Sequence, residues 1–545
     1  MPRIYSKLRL KHALRAGAAS VLIALQVVTP WPAQAALPTL GDGASSLTTG
    51  QERRLGDSIA KELYRDPDYI DDPVVQDYVE GIWQHLLDAA RSKGELSPEL
   101  DERFAWTLFM GRDGQVNAFA LPGGYMGVYM GLLGVVSTGD ELASVLAHET
   151  SHITQRHIAR MMAQQGRQTP LLLASMILGA LAAMRSGQAA QALMMGGPAL
   201  VMQNQLNFSR DMEREADRMG YSLMEPAGFA PRGFVDMFGK LEQASRLNDN
   251  GSWPYLRSHP LTTQRIADMQ SRAQWGKAGA APVGTMEHVM MAARARVLSR
   301  PGADVLRQWA RQPRSTSFAG LAALQQVAQL YGAAFSAMEL KDWDLAREMS
   351  RRLLAACAQD AAGQRQAQLL AAELEFKAGR NAAALAALPV EQAVASVMPP
   401  PADGAGQREA GPSLATVTVT AQRSNRRPEL LLRTEILLAQ KNAVAMAGPL
   451  QTWLADHPRD GYAWQLLARV WREQGKELRA LRAEAEAQMA HYDYAGAVDR
   501  FKAAQELSRK AGAQSDYIEA SIVDTRLREA DELAKEQARE KSVIQ

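Results

Sequence analysis

His148-Glu149-Thr150-Ser151-His152 is the tightest constraint in this chain of 545 residues. Two histidines four positions apart share a face only if the segment is helical, because four residues make about one turn. Both imidazoles then converge on one point, and a Zn²⁺ ion accepts two such nitrogens. Glu149 falls beside the metal's water, where a carboxylate takes the proton as hydroxide attacks a carbonyl. With nine His in the chain, chance produces this pattern on the order of 0.01 times. Leu142, Val145 and Leu146 just upstream set the helix against a core. Thr138 and Glu141 form the capping-box pair that opens it.

Cys357 is the sole cysteine, so neither an intrachain disulfide nor a cysteine-based zinc site can form. A catalytic zinc needs a third protein ligand and an open position, and that ligand must be His or a carboxylate. In Glu213-Arg214-Glu215-Ala216-Asp217, Glu213 and Asp217 lie four apart on one helical face. One can bind the metal while the other orients a ligand histidine; the same stretch also reads as a solvated charged face. His157, five beyond His152 and about 140° further round an unbroken helix, is expected to be structural and not to reach the same ion. His259 precedes Pro260 in a turn, a setting in which histidine is commonly structural.

The rest of the chain divides by composition. Residues 1–35 have a basic opening, an apolar run from Ala16 to Val28 and a closing Ala33-Gln34-Ala35, the pattern of a cleavable signal peptide. Export without disulfides suits the periplasm. Two helices are expected over 50–98 and strands over 106–110, 116–121 and 125–129, with a Pro122-Gly123-Gly124 turn. The strand through Asn117, Ala118 and Phe119 would lie at a sheet edge and take a substrate peptide by main-chain pairing. The apolar 171–184 segment is too short to span a bilayer and reads as a buried hairpin or, more sharply, as a lid or a membrane-surface contact. Residues 290–395 and 429–510 are Ala- and Leu-rich helices. There Trp464, Leu467, Ala468, Trp471 and Ala480, then Ala497, Phe501 and Ala504, fit tetratricopeptide-like spacing. A Pro- and Gly-rich insertion is expected over 396–428 and a helical tail over 511–545. The fold class is therefore mainly α with a small β-sheet, with the HExxH zinc site in the sheet-bearing part and a helical tetratricopeptide-like solenoid after it. The net charge of +2 gives no case for nucleic acid.

The pattern Ser209, Arg210, Glu213, Glu215, Ala216, Asp217, Gly220 after HExxH resembles the M48 family of zinc metalloproteases. The resemblance extends to 117–124 and to Ser258-His259-Pro260-Leu261 with Arg265. It covers roughly residues 45–275 and implies a zincin-like zinc-protease domain there, holding one Zn²⁺ per chain, with Glu213 as third ligand and Asp217 as support. It also makes His259 a candidate fourth ligand or transition-state hydrogen-bond donor, with Arg265 a weaker candidate nearby. With the leader and the repeats it implies a periplasmic endopeptidase acting on unfolded or misassembled outer-membrane β-barrel proteins beside their assembly machinery. The alternative is a chaperone-like repeat adaptor whose zinc centre is silenced or chiefly structural.

Overall fold

The computed structural model describes residues 47–165, 179, 209–246, 253–275, 284–389, 426–511 and 516–542. The expected signal peptide, nearly all of 171–184 and most of the 396–428 insertion lie outside these residues. The protein is mostly helical around one three-stranded sheet. No helix among the described residues is long and apolar enough to cross a membrane.

Helix α1 (Thr49–Arg65) opens with a complete capping box between Thr48 and Gln51. Helix α2 (Pro73–Lys93) begins at an Asp72 cap and ends at Gly94, and a short α3 (Pro98–Arg103) follows. Strands β1 (Thr107–Gly111), β2 (Ala118–Leu121) and β3 (Tyr125–Tyr129) lie in the order β1-β3-β2, with β1 parallel and β2 antiparallel to β3. The β2–β3 turn uses Gly123 and Gly124 at φ 76° and 86°, values that a side chain resists. After α4 (Met130–Val135) comes α5 (Gly139–Thr154), which carries the histidine pair. The Thr138 hydroxyl accepts from Glu141 N–H, but the Glu141 carboxylate accepts from Ser137 N–H, so only half of the expected capping box forms.

α5 ends at Thr154 and does not run on to His157. Arg156 takes a left-handed φ of 51°, and a new helix, α6 (His157–Gln165), starts at once. Arg156 is held there by Glu52, 2.9 Å from its Nε. The domain continues through α7 (Arg210–Met224), α8 (Arg232–Arg246), α9 (Tyr255–Ser258) and α10 (Thr263–Trp275).

Beyond residue 284, α11 (Met286–Leu298), α12 (Ala303–Arg311), α13 (Ala323–Glu339), α14 (Trp343–Ala356), α15 (Ala361–Lys377) and α16 (Asn381–Ala387) follow. From α12 to α16 each helix packs on the next, and α11 packs on α13. One apolar cluster runs from Trp83 and Leu146 to Tyr331 and Met349, so the first of these helices share a core with the sheet-bearing part. After residue 426 come α17 (Arg427–Ala439), α18 (Ala447–Asp456), α19 (Gly461–Glu473), α20 (Glu477–Ala490), α21 (Tyr494–Ala511) and α22 (Tyr517–Ser542). Trp471, Ala480, Ala497, Phe501 and Ala504, read as repeat-interface positions, are buried.

Three arginines of the helical half grip three aspartates at the start of α2. Arg294 lies 2.7–2.8 Å from both oxygens of Asp72 and 2.9 Å from Glu373. Arg365 joins Asp77 to Glu429 at 3.0 and 2.5 Å. Arg427 joins Asp71 to Asp460 at 2.7 and 2.8 Å. Arg427 and Pro428, assigned by composition to the flexible insertion, are thus the first residues of a helix, and Arg427 is buried in this clamp. The C-terminal helices return to α1: Tyr492, also left-handed, contacts Tyr125 and Arg53, and His491 stacks on Tyr64 at 4.4 Å.

Burying a carboxylate and then removing its partner costs about 3–5 kcal/mol. Arg294→Met should therefore lower unfolding stability by that amount in urea titration, and adding Asp72→Asn should recover part of it. A change below about 1 kcal/mol would mean the clamp is a surface-grade ion pair.

Candidate metal centre

Helix α5 presents His148 and His152, and α7 crosses it to present Glu213 and Asp217. The crossing is close because residue 220 is glycine. A Cβ there would lie 3.0 Å from the main chain of Ala147 and His148, tighter than side chains ordinarily tolerate. Trp83 fastens the other side of α5, donating its indole N–H to Thr150 Oγ1 at 2.9 Å.

One ligand atom each from His148, His152, Glu213 and His259 lies within 4.8 Å of all the others, and all four residues are buried. His148 Nε2 is 3.0 Å from His152 Nε2 and 3.3 Å from His259 Nδ1. Glu213 Oε1 is 2.9 Å from His259 Nδ1 and 3.5 Å from His152 Nε2. Four ligands on a tetrahedral zinc, with bonds of about 2.0–2.1 Å, stand about 3.3 Å apart, so this donor set has the size of a zinc shell. Glu213 Oε2 adds to the fit: Arg265 Nη1 is 2.8 Å away but poorly aligned, which leaves a buried carboxylate oxygen with capacity for a cation.

Behind the four stands a layer that fixes their orientation. His148 Nδ1 lies 3.0 Å from Asp217 Oδ1, a close but bent contact. Arg265 clamps Asp217 through two bonds of 2.6 and 2.8 Å. His152 Nδ1 meets His157 Nδ1 at 2.8 Å, and His157 Nε2 meets Glu215 Oε2 at 3.1 Å. A proton on His152 Nδ1 and another on His157 Nε2 satisfy this relay and leave His152 Nε2 free to ligate. His157 therefore stays off the four-residue cluster, as expected, but through a break in the helix and not through its place on an unbroken one. The chain breaks at Arg156, and the new helix swings His157 behind His152.

The electrostatics match a site waiting for positive charge. Burial opposes charge on His148, yet Asp217 and Glu213 outweigh it and hold its pKa up at about 10. Burial, then the cationic His148, drives His152 well below its usual range. Glu213 is pushed up by burial but held well below the carboxylate range by His259 and His148. A metal entering this cluster displaces protons.

Glu149 is fully buried beside the cluster. Ala120 N–H donates to its Oε2 at 2.9 Å and Tyr255 O–H to its Oε1 at 3.1 Å; His259 Nε2 lies 3.4 Å from Oε1. Tyr255 carried no spacing signal in the sequence. Burial drives its phenol well above the usual range, so it remains a donor, and its ring stacks on His259 at 4.6 Å.

Strand β2 lies at the sheet edge, as expected. Tyr129 N–H bonds Asn117 C=O, which alternation converts into outward-pointing main-chain groups on Ala118 and Ala120. That edge is covered here, with Ala118 0% and Ala120 7% exposed. Asn117 is buried as well, and Phe119 is half-buried across Gly127. Tyr255 N–H reaches Val116 C=O at 3.3 Å, so the segment carrying Tyr255 and His259 lies close against this edge.

Gly220→Val should force α7 off α5, moving Glu213 and Asp217 from His148, and lower zinc affinity at least about tenfold while helical content is kept. Asp217→Asn, which disturbs only the orientation of His148, should cost about 10–100-fold. Competition against a chromophoric chelator reads both; wild-type affinity in both variants would refute this account of the site.

Residues 75–273 match the model of peptidase family M48. The beta-barrel assembly-enhancing protease of Escherichia coli K12 is 32% identical over 328 residues, covering 59% of this chain and 63% of that protein. A Vibrio cholerae protein that carries the same name provisionally is 35% identical over 327 residues, 58% and 63% of the two chains. The mitochondrial metalloendopeptidase OMA1 of Schizosaccharomyces pombe is 34% identical over 165 residues, 30% of this chain and 46% of its own. The chain thus spans just under two thirds of the length of the bacterial relatives it matches. Every residue of the buried cluster and of its supporting layer falls inside the matched segment, so residues 75–273 form a peptidase M48 domain.

Proposed function

We propose that the chain is a zinc-dependent endopeptidase of the periplasm that cleaves misfolded or misassembled outer-membrane proteins. The observation that carries the chemistry is the buried convergence of His148, His152, Glu213 and His259 with Glu149 alongside. A zinc ion held by His148, His152 and Glu213 would supply Lewis acidity, polarising a carbonyl and acidifying a water. Asp217 and His157 keep the two imidazoles turned towards it. Glu149 takes the proton of the attacking water and delivers it to the departing amine. Ala120 N–H holds one of its oxygens, and Tyr255 O–H holds the other while the site is closed.

In this reading His259 is the gate. Its Nδ1 sits among the ligand atoms and its Nε2 faces Glu149, so it fills the position a substrate carbonyl needs. Lifting the segment around Tyr255 and His259 removes that cap and frees the β2 edge together. An extended peptide can then pair with the main chain of Ala118 and with Ala120 C=O, the Ala120 N–H staying with Glu149, which gives tolerance of sequence and selects for unfolded chains. Likeness to beta-barrel assembly-enhancing proteases supports the client class, and the helical array supports a role in holding clients and assisting their assembly.

Glu149→Gln should retain zinc and lose about 10²–10⁴ in cleavage of an unfolded outer-membrane protein. Chelation should abolish cleavage and zinc restore it. Equal cleavage by wild type and Glu149→Gln would sink the mechanism. Client binding without cleavage by either would favour the adaptor reading. His259→Ala should raise basal cleavage severalfold, whereas an unchanged or lower rate would argue that His259 serves the reaction or nothing.

A further inference from the structure

Helices α11, α12 and α13 pack around a cleft of about 370 Å³ that shares no lining residue with the metal cluster. Its floor is made of small side chains, Ala293 on α11 and Gly332 on α13. A Cβ added at Gly332 would come no closer than 3.8 Å to Ala293, so the floor is open and not crowded. Arg296, Trp309, Gln325 and Gln329 also line the cleft.

Arg296 differs from its neighbour on the same helix. Arg294 is buried and saturated by Asp72, Glu373 and Tyr331. Two residues on, Arg296 lays its side-chain stem against Gly134, and its guanidinium enters no ion pair or hydrogen bond among the described residues. Arg296 is exposed to solvent, and no carboxylate among the described residues is set against its charge. Gln325 is exposed and Gln329 and Trp309 are half-buried, so their side-chain N–H groups are open to an incoming ligand.

We propose that this cleft binds a peptide carboxylate, with Arg296 gripping it through its planar fork and the glutamine and indole donors completing the shell. The apolar residue beside that carboxylate would rest on the Trp309 ring and the small-residue floor. A single guanidinium with neutral donors matches the one charge of a carboxylate better than the two charges of a phosphate monoester. The carboxylate can be a chain terminus or an Asp or Glu side chain. The site is independent of the metalloprotease reading, because it uses none of the metal-centre residues.

Fluorescence anisotropy on the full chain carrying Glu149→Gln, so that no peptide is consumed, tests this directly. The probes are a labelled octapeptide of apolar residues with a free C-terminal acid, its C-terminal amide, and that amide with one internal Glu. Arg296→Gln should weaken binding of the free acid at least tenfold and Arg296→Lys less. Gly332→Leu, which fills the cleft and leaves the charge alone, should weaken it too. Loss of binding by the plain amide on the unsubstituted cleft supports the proposal without relying on any variant at the cleft. Recovery with internal Glu then marks any carboxylate as a ligand, and no recovery marks the terminus. Equal binding of acid and plain amide, no binding of any probe, or an Arg296→Gln chain that melts normally and binds the acid at full strength would overturn it.

Discussion

The backbones of two helices nearly touch at Gly220, and the geometry of the metal centre follows from that contact. One helix carries the histidine pair and the other carries Glu213 and Asp217. With glycine at the crossing, a carboxylate reaches the imidazoles directly and a second carboxylate reaches behind one of them. The result is a buried group of three imidazoles and an acid whose mutual spacing is that of a tetrahedral zinc shell. Packing of this kind gives the fold a buried cluster able to hold a cation. Without one, facing imidazole nitrogens and a poorly bonded carboxylate oxygen would remain in a dry interior.

The helical half is not tethered loosely to this domain. Asp71, Asp72 and Asp77 sit at the head of the helix that also supports the histidine helix through Trp83 and Thr150, and each is held by an arginine from a different helix of the array. Part of the apolar core continues across the same boundary. At the far end, Tyr492 and its neighbours close back onto the first helix. The helical array is therefore held in fixed geometry relative to the metal centre.

Much of the site was legible in the sequence because it rests on helical periodicity. The histidine pair, Glu213 and Asp217 share faces by spacing alone, and the three strands fall within a residue or two of their expected places. What escaped depended on chain breaks and on tertiary contact. The position of His157 could not be computed from an unbroken helix, because Arg156 turns the chain left-handed under the pull of Glu52. Tyr255 reaches Glu149 from a separate loop, which no local pattern encodes. Arg427 looked like part of a flexible basic stretch, since its partners Asp71 and Asp460 are remote in sequence. Composition reads charge without knowing whether it is paired.

The central claim is that His148, His152, Glu213 and His259 together form one zinc shell. Zinc K-edge X-ray absorption on the metal-loaded chain measures that shell without reference to activity. The account predicts about four nitrogen and oxygen ligands at about 2.0–2.1 Å with the outer-shell scattering of three imidazoles, falling to two imidazoles in His259→Ala. A sulfur ligand, an oxygen-dominated six-coordinate shell, or an imidazole count that His259→Ala leaves unchanged would contradict it.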